Sequence, residues 1–146
     1  MTSGTGHGYS LLELLTVLAI IAVLFSFGST AWRQTLIATR RSDATTALQR
    51  IAARQELFRL QNLRYADSNE LAQTPPDGLG IMAATSAHYS LVTRLTDSGF
   101  TATATALSAS TQQDDWLCTL FSIDESGRRK ATADSGSDST QQCWKS

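Results

Sequence analysis

Residues 8–27 read GYSLLELLTVLAIIAVLFSF. Leu11 to Phe27 is the strongly apolar run of this chain, and Glu13 is its single charge. From Tyr9 to Phe27 a helix rising about 1.5 Å per residue spans roughly 28 Å, near the hydrocarbon thickness of a bilayer. The sequence therefore predicts a chain that meets a membrane once, near its start. A carboxylate inside such a span costs about 2.5–3.5 kcal/mol on insertion scales, so Glu13 needs a partner or a purpose.

Outward from this run, charge divides the chain into three zones. The 146 residues carry 12 basic and 13 acidic side chains, net −1, enough for one domain and not two. Residues 28–64 hold seven arginines against Asp43 and Glu56, whereas residues 65–146 are net −5. Charged residues are 17% and apolar residues 42% of the chain, which excludes bulk disorder. Cys118 and Cys143 have no neighbouring ligand pair at zinc-site spacing, so no metal is expected.

Three readings of the apolar run compete. An ordinary export signal is suggested by Ser29-Thr30-Ala31, a small-residue cleavage site, but the leader lacks a basic region and the run contains an acid. A plain single-span anchor leaves Glu13 unexplained. The third reading comes from Gly8-Tyr9-Ser10-Leu11-Leu12-Glu13-Leu14, which resembles the class III signal of type IV pilins and pseudopilins. In that family a polar leader ends in Gly, an aromatic residue follows, and an acid stands five residues into the mature chain.

The resemblance implies cleavage by a prepilin peptidase between Gly8 and Tyr9, N-methylation of Tyr9, and loss of residues 1–8. Glu13 lies one helical turn from the new amine of Tyr9, and the two charges can neutralise each other within or between subunits. The family assigns this acid to subunit alignment in assembly; otherwise it is an acid snorkelling near the membrane face. The leader departs from the family in lacking Lys and Arg, while Arg33, Arg40 and Arg41 follow the run. That charge order opposes the positive-inside rule, so either the export machinery overrides it or the true start lies upstream.

Beyond the run, residues 28–64 contain no proline, and Ile37, Ala44, Leu48, Ile51 and Phe58 share one helical stripe. The reading is one helix from near Ser10 to near Asn62, apolar all round in front and amphipathic behind. Many pilins carry a proline about where Thr30 stands; here only Gly28 and Ser29 are weak points, which predicts a shallow bend. The arginines read as a solvated face with local ion pairs such as Arg50 with Glu56. Docking on a neighbouring subunit, or contact with DNA phosphates, are the functional alternatives.

The rest reads as an antiparallel meander. Pro75-Pro76-Asp77-Gly78 marks a turn. His88–Thr96 and Phe100–Ala106 (FTATATA) read as a hairpin around Asp97-Ser98-Gly99, with Thr on one face and small apolar residues on the other. Trp116–Ile123 reads as a third strand and Arg128–Thr132 as a fourth. The fold class is α+β: a long helix, membrane-spanning in front, packed behind against three or four antiparallel strands. Phe58, Tyr89, Leu91, Phe100, Leu120 and Ile123 are the candidate core. Domains follow as leader 1–8, transmembrane and filament-core helix 9–28, and globular domain 29–146.

Arg64-Tyr65-Ala66, Tyr89-Ser90-Leu91, Phe100–Ala104, Cys118 with Leu120, Asp124 and Gly127, and Cys143-Trp144 stand in an order that resembles the PilE-type minor pilins. That resemblance implies a terminal disulfide between Cys118 and Cys143, formed in an oxidising compartment, with two free thiols as the alternative. A redox pair would need Cys-x-x-Cys spacing. The implied function is a structural minor pilin acting in assembly or priming of a type IV pilus, in twitching motility and adhesion. The chain would sit in the inner membrane with a periplasmic domain, then in the surface pilus. Its partners would be other pilins, the peptidase and the assembly platform. A type II secretion pseudopilin, a major pilin and a DNA-uptake minor pilin are the alternatives. Nucleic acid is not expected from the acidic body, unless Arg94, Arg128, Arg129 and Lys130 cluster. No enzyme is expected: His88 is the only histidine after cleavage, Asp114-Asp115 reads as a solvated turn, and no nucleotide or nucleophile motif is present. No cofactor is expected.

Overall fold

The computed structural model describes residues 10–82 and 88–145, with the side chains of residues 27–31 outside the description. Its elements are helix α1 (Leu11–Asn62), strands β1 (Tyr89–Leu95) and β2 (Phe100–Ala106), a short 3-10 turn at Thr111–Asp114, strands β3 (Leu120–Asp124) and β4 (Arg129–Thr132), and a one-turn helix α2 (Thr140–Cys143). The helix passes through Gly28–Thr30 without interruption. The chain divides into two compact units, Met1–Leu36 and Ile37–Ser146.

In the first unit the front of α1 is apolar and bare. Leu11, Leu12, Leu15, Ile20, Leu24 and Phe25 all expose more than half of their surface. Among the described residues no helix is long and apolar enough to cross a membrane.

In the second unit the rear of α1 packs on the sheet. Ala44, Ala47, Leu48, Ile51 and Phe58 are buried at helical spacing. The strands run antiparallel in the order β1-β2-β3-β4. Leu91, Ala104, Phe121 and Ala131 align across all four strands and face the helix. Ala102 and Ala104 of β2 are buried beside the larger Phe100 and Phe121. Phe121 meets both Tyr89 and Trp144 edge-on, at ring separations of 5.8 and 6.0 Å.

Helix α1 stops where its backbone groups find other partners. Leu63 takes φ 56°, the left-handed region that ends a helix, and its N–H reaches Arg59 O at 2.8 Å. Asn62 Nδ2 donates to Phe58 O and to Pro76 O. Gln55, fully buried, clasps the returning chain: its amide donates to Ala66 O at 2.7 Å and accepts from Ala66 N at 2.8 Å. Ser68 makes a similar clasp on Thr93 of β1.

Three expectations need correction. Ile37 is only half-buried, so the core stripe starts at Ala44. The third strand begins at Leu120 rather than Trp116, because Trp116–Thr119 follow the turn held by Asp115. Leu120 is half-buried, because its register opposite Thr105 turns it outward and gives the core place to Phe121.

Candidate assembly surface and head interface

Glu13 stands in the first turn of α1, amid exposed leucines, and its carbonyl accepts from Thr16 Oγ1 at 2.8 Å. Gly8 and Tyr9, the processing pair, lie outside the described residues. The N-terminus of a helix carries unpaired N–H groups and partial positive charge, so an acid in its first turn is favourable. What this end of the chain offers a partner is an apolar surface with one carboxylate in it.

Cys118 and Cys143 are joined in a disulfide, with Cα atoms 5.8 Å apart and both residues buried. The same loop is pinned a second time. Asp115, only 4% exposed, accepts two hydrogen bonds from Arg41 of α1, at 2.7 Å from Nε and 2.6 Å from Nη2. Gln112 Nε2 and Cys118 N complete its shell at 2.9 and 3.2 Å. The Asp115 hydrogen bonds hold the Arg41 guanidinium above its ordinary pKa, against the opposing effect of burial. Arg40 also donates, to Thr111 Oγ1.

Asp115 therefore belongs to the interior and not to a solvated turn. Its neutralising cation comes from the arginine-rich helix, which the local-pair reading did not anticipate. The expected local acceptor Glu56 accepts instead from Tyr65 Oη at 3.1 Å. His88 Nδ1 lies 2.9 Å from Ser110 Oγ at the start of β1.

The cations of the body do not form one cluster. Arg94, Thr101 and Asp124 align on the outward face of the sheet, and Arg128 pairs with Asp124 at 3.6 Å. Lys130 stands on the same face beside Ser122. Arg129 points the other way, over the Trp144 ring at 5.2 Å. Strands lie about 4.7–4.9 Å apart, so β1 and β4 are separated by roughly 14 Å. Arg94 and Lys130 are thus two exposed points on a hydroxyl-rich face, with Asp124 between them. Among the described residues no group of acids, histidines and cysteines is placed to hold a metal.

A family model described as "Type IV minor pilin ComP, DNA uptake sequence receptor" matches residues 31–122. The chain belongs to this type IV minor pilin family. The match begins beyond the Gly8–Leu14 motif, so head and body point to the pilin family on separate residues. A type IV pilin of Shewanella oneidensis, solved at high resolution, is similar over 64% of this chain and 89% of that one, at 25% identity and a TM-score of 0.45. No curated protein matches. The family is one of structural proteins, and it implies contact with other pilins in a pilus.

Proposed function

We propose that the chain is a minor subunit of the type IV pilus that acts in pilus assembly and priming, and through it in twitching motility and adhesion. The observation that carries this reading is the bare front of α1 with Glu13 in its first turn. Each large aliphatic side chain gains about 1.5–3 kcal/mol on full burial, so such a helix is stable only inside lipid or a bundle. In this reading a prepilin peptidase cuts between Gly8 and Tyr9, and the amine of Tyr9 is methylated. Residues 9–28 rest in the inner membrane with the rest of the chain in the periplasm. They then pass, at the assembly platform, into the core of a filament with major and minor pilins. Glu13 pairs with the Tyr9 amine of its own or a neighbouring subunit, which offsets the desolvation of both charges.

Gene deletion with complementation tests the reading. Pili and twitching should fail in the deletion, recover with the wild-type chain and stay defective with Glu13→Ala, while secreted enzymes remain normal. Normal pili with lost secretion would make the chain a type II secretion pseudopilin.

The family description favours a second reading, a receptor for DNA. Arg94 and Lys130 on the outward sheet face, with Arg50 and Arg54 of α1 exposed, are the phosphate contacts it would use. The acidic body weakens it, since phosphate binding depends on net cationic contacts and falls steeply with salt. A gel shift with double-stranded DNA decides: retardation at low salt that fades at physiological salt supports it, and none at low salt removes it.

A further inference from the structure

Trp116 is 70% exposed, although the residues around it are among the most firmly held in the protein. Asp115 is buried against Arg41, and Cys118 is buried in the disulfide. Trp116 O accepts from Asp134 N at 2.9 Å. An indole left in water gains nothing from folding, and a backbone pinned on both sides presents it in one place. That combination lowers the ordering cost of binding and suits an anchor for a ligand.

Trp116 lines a groove of about 450 Å³, within the range of roughly 300–1,000 Å³ usual for small-molecule sites. Thr105, Ser108, Gln113 and Asp134 supply hydroxyl, amide and carboxylate groups to it, and Leu120 and Ala133 supply apolar surface. Thr119, also in the lining, is held by its N and Oγ1, which both donate to Thr132 O, at 3.2 and 3.0 Å. Among the described residues no Lys, Arg or His lines the groove.

We propose that this groove binds a neutral saccharide. A pyranose ring has an apolar C–H face that stacks on an indole and a rim of hydroxyls that exchange hydrogen bonds with hydroxyls, amides and carboxylates. Both halves of that chemistry are present beside Trp116. The charge of the lining decides against the competitors. A nucleic acid, or a sialylated or sulfated glycan, would bring an anion to a groove whose one ionisable lining group among the described residues is Asp134.

The test uses the full-length chain in phosphocholine detergent micelles, which carry no sugar headgroup. The probes are lactose, cellobiose and N-acetyl-lactosamine, each to about 10 mM, which detects dissociation constants near 1 mM. 3′-Sialyllactose and a short DNA duplex are the comparison probes. The Trp116 indole N–H resonance, assigned by its loss in Trp116→Ala, should shift saturably with at least one neutral sugar and less with sialyllactose. Trp116→Ala should weaken binding about tenfold or more, and Trp116→Tyr should retain most of it. Asp134→Lys should improve sialyllactose relative to the neutral sugar. The proposal is overturned by three outcomes: no response to any neutral sugar, undiminished binding by Trp116→Ala, or a response to the anionic probes alone. It is also overturned if Trp116 in intact pili is shielded from acrylamide quenching, which would make it a contact between subunits.

Discussion

Arg41 and Asp115, 74 residues apart, form a two-point ion pair that ties α1 to the loop before β3. The carboxylate is buried while the guanidinium side chain keeps 18% of its exposure, so the two ends of the pair are not equivalent. Arg41→Ala strands a charge in the interior and should cost about 3–5 kcal/mol. Asp115→Ala strands no buried charge, only the donors Gln112 Nε2 and Cys118 N, and should cost less, about 1–3 kcal/mol. Denaturant midpoints of the two variants and of the double variant measure the difference; equal losses would contradict the assigned asymmetry.

The disulfide should be the second restraint on the same loop. Removing it by Cys118→Ser with Cys143→Ser opens a loop of 25-residue separation, which costs about 3–4 kcal/mol in the chain-entropy model. The loss should appear as a lower unfolding midpoint, matched by the wild-type chain under reductant.

Gln55 supplies the hydrogen bonds of a chain reversal that has no ladder of its own. Gln55→Leu keeps the volume but leaves Ala66 N and O without their partner, at a cost of about 1–3 kcal/mol. Thermal unfolding checks it, and a neutral result would place water in the role of the amide.

Glu70 gives a pH signature. Two hydrogen bonds from Arg64, at 2.5 and 2.8 Å, draw its pKa from an ordinary 4.5 down to about 2. A carboxylate with a depressed folded pKa adds stability that is complete above about 4.5 and disappears as pH falls toward 2. Arg64 is 55% exposed, so salt screens the pair. NMR titration should find Glu70 near 2 in the wild type and near its ordinary value in Arg64→Ala; an unmoved Glu70 would assign the shift to the Asp67 backbone instead.

The helix was legible because its signals are local: the apolar run and the stripe through Ala44, Leu48 and Ile51 need only neighbouring residues. The same holds for FTATATA, whose alternation places Phe100, Ala102 and Ala104 inward. Trp116–Ile123 has no alternation, so the start of β3 and the exchange of Leu120 for Phe121 were not readable. Ala66, Leu71, Leu79 and Ile81 enter the core from a segment without a period, where no face can be assigned in advance. Of the site, Glu13 and the cysteines carry motif-level signals. The Arg41–Asp115 pair had none, because its partners meet only after the helix has packed on the sheet. An exposed Trp116 could be suspected only from its neighbours' burial.

The central claim is that a processed helix start builds this chain into a filament. Mass spectrometry and amino-terminal sequencing of the protein recovered from sheared pili test it most directly. The account predicts a chain that begins at N-methylated Tyr9; a chain that begins at Trp32, released from cells and absent from pili, would contradict it.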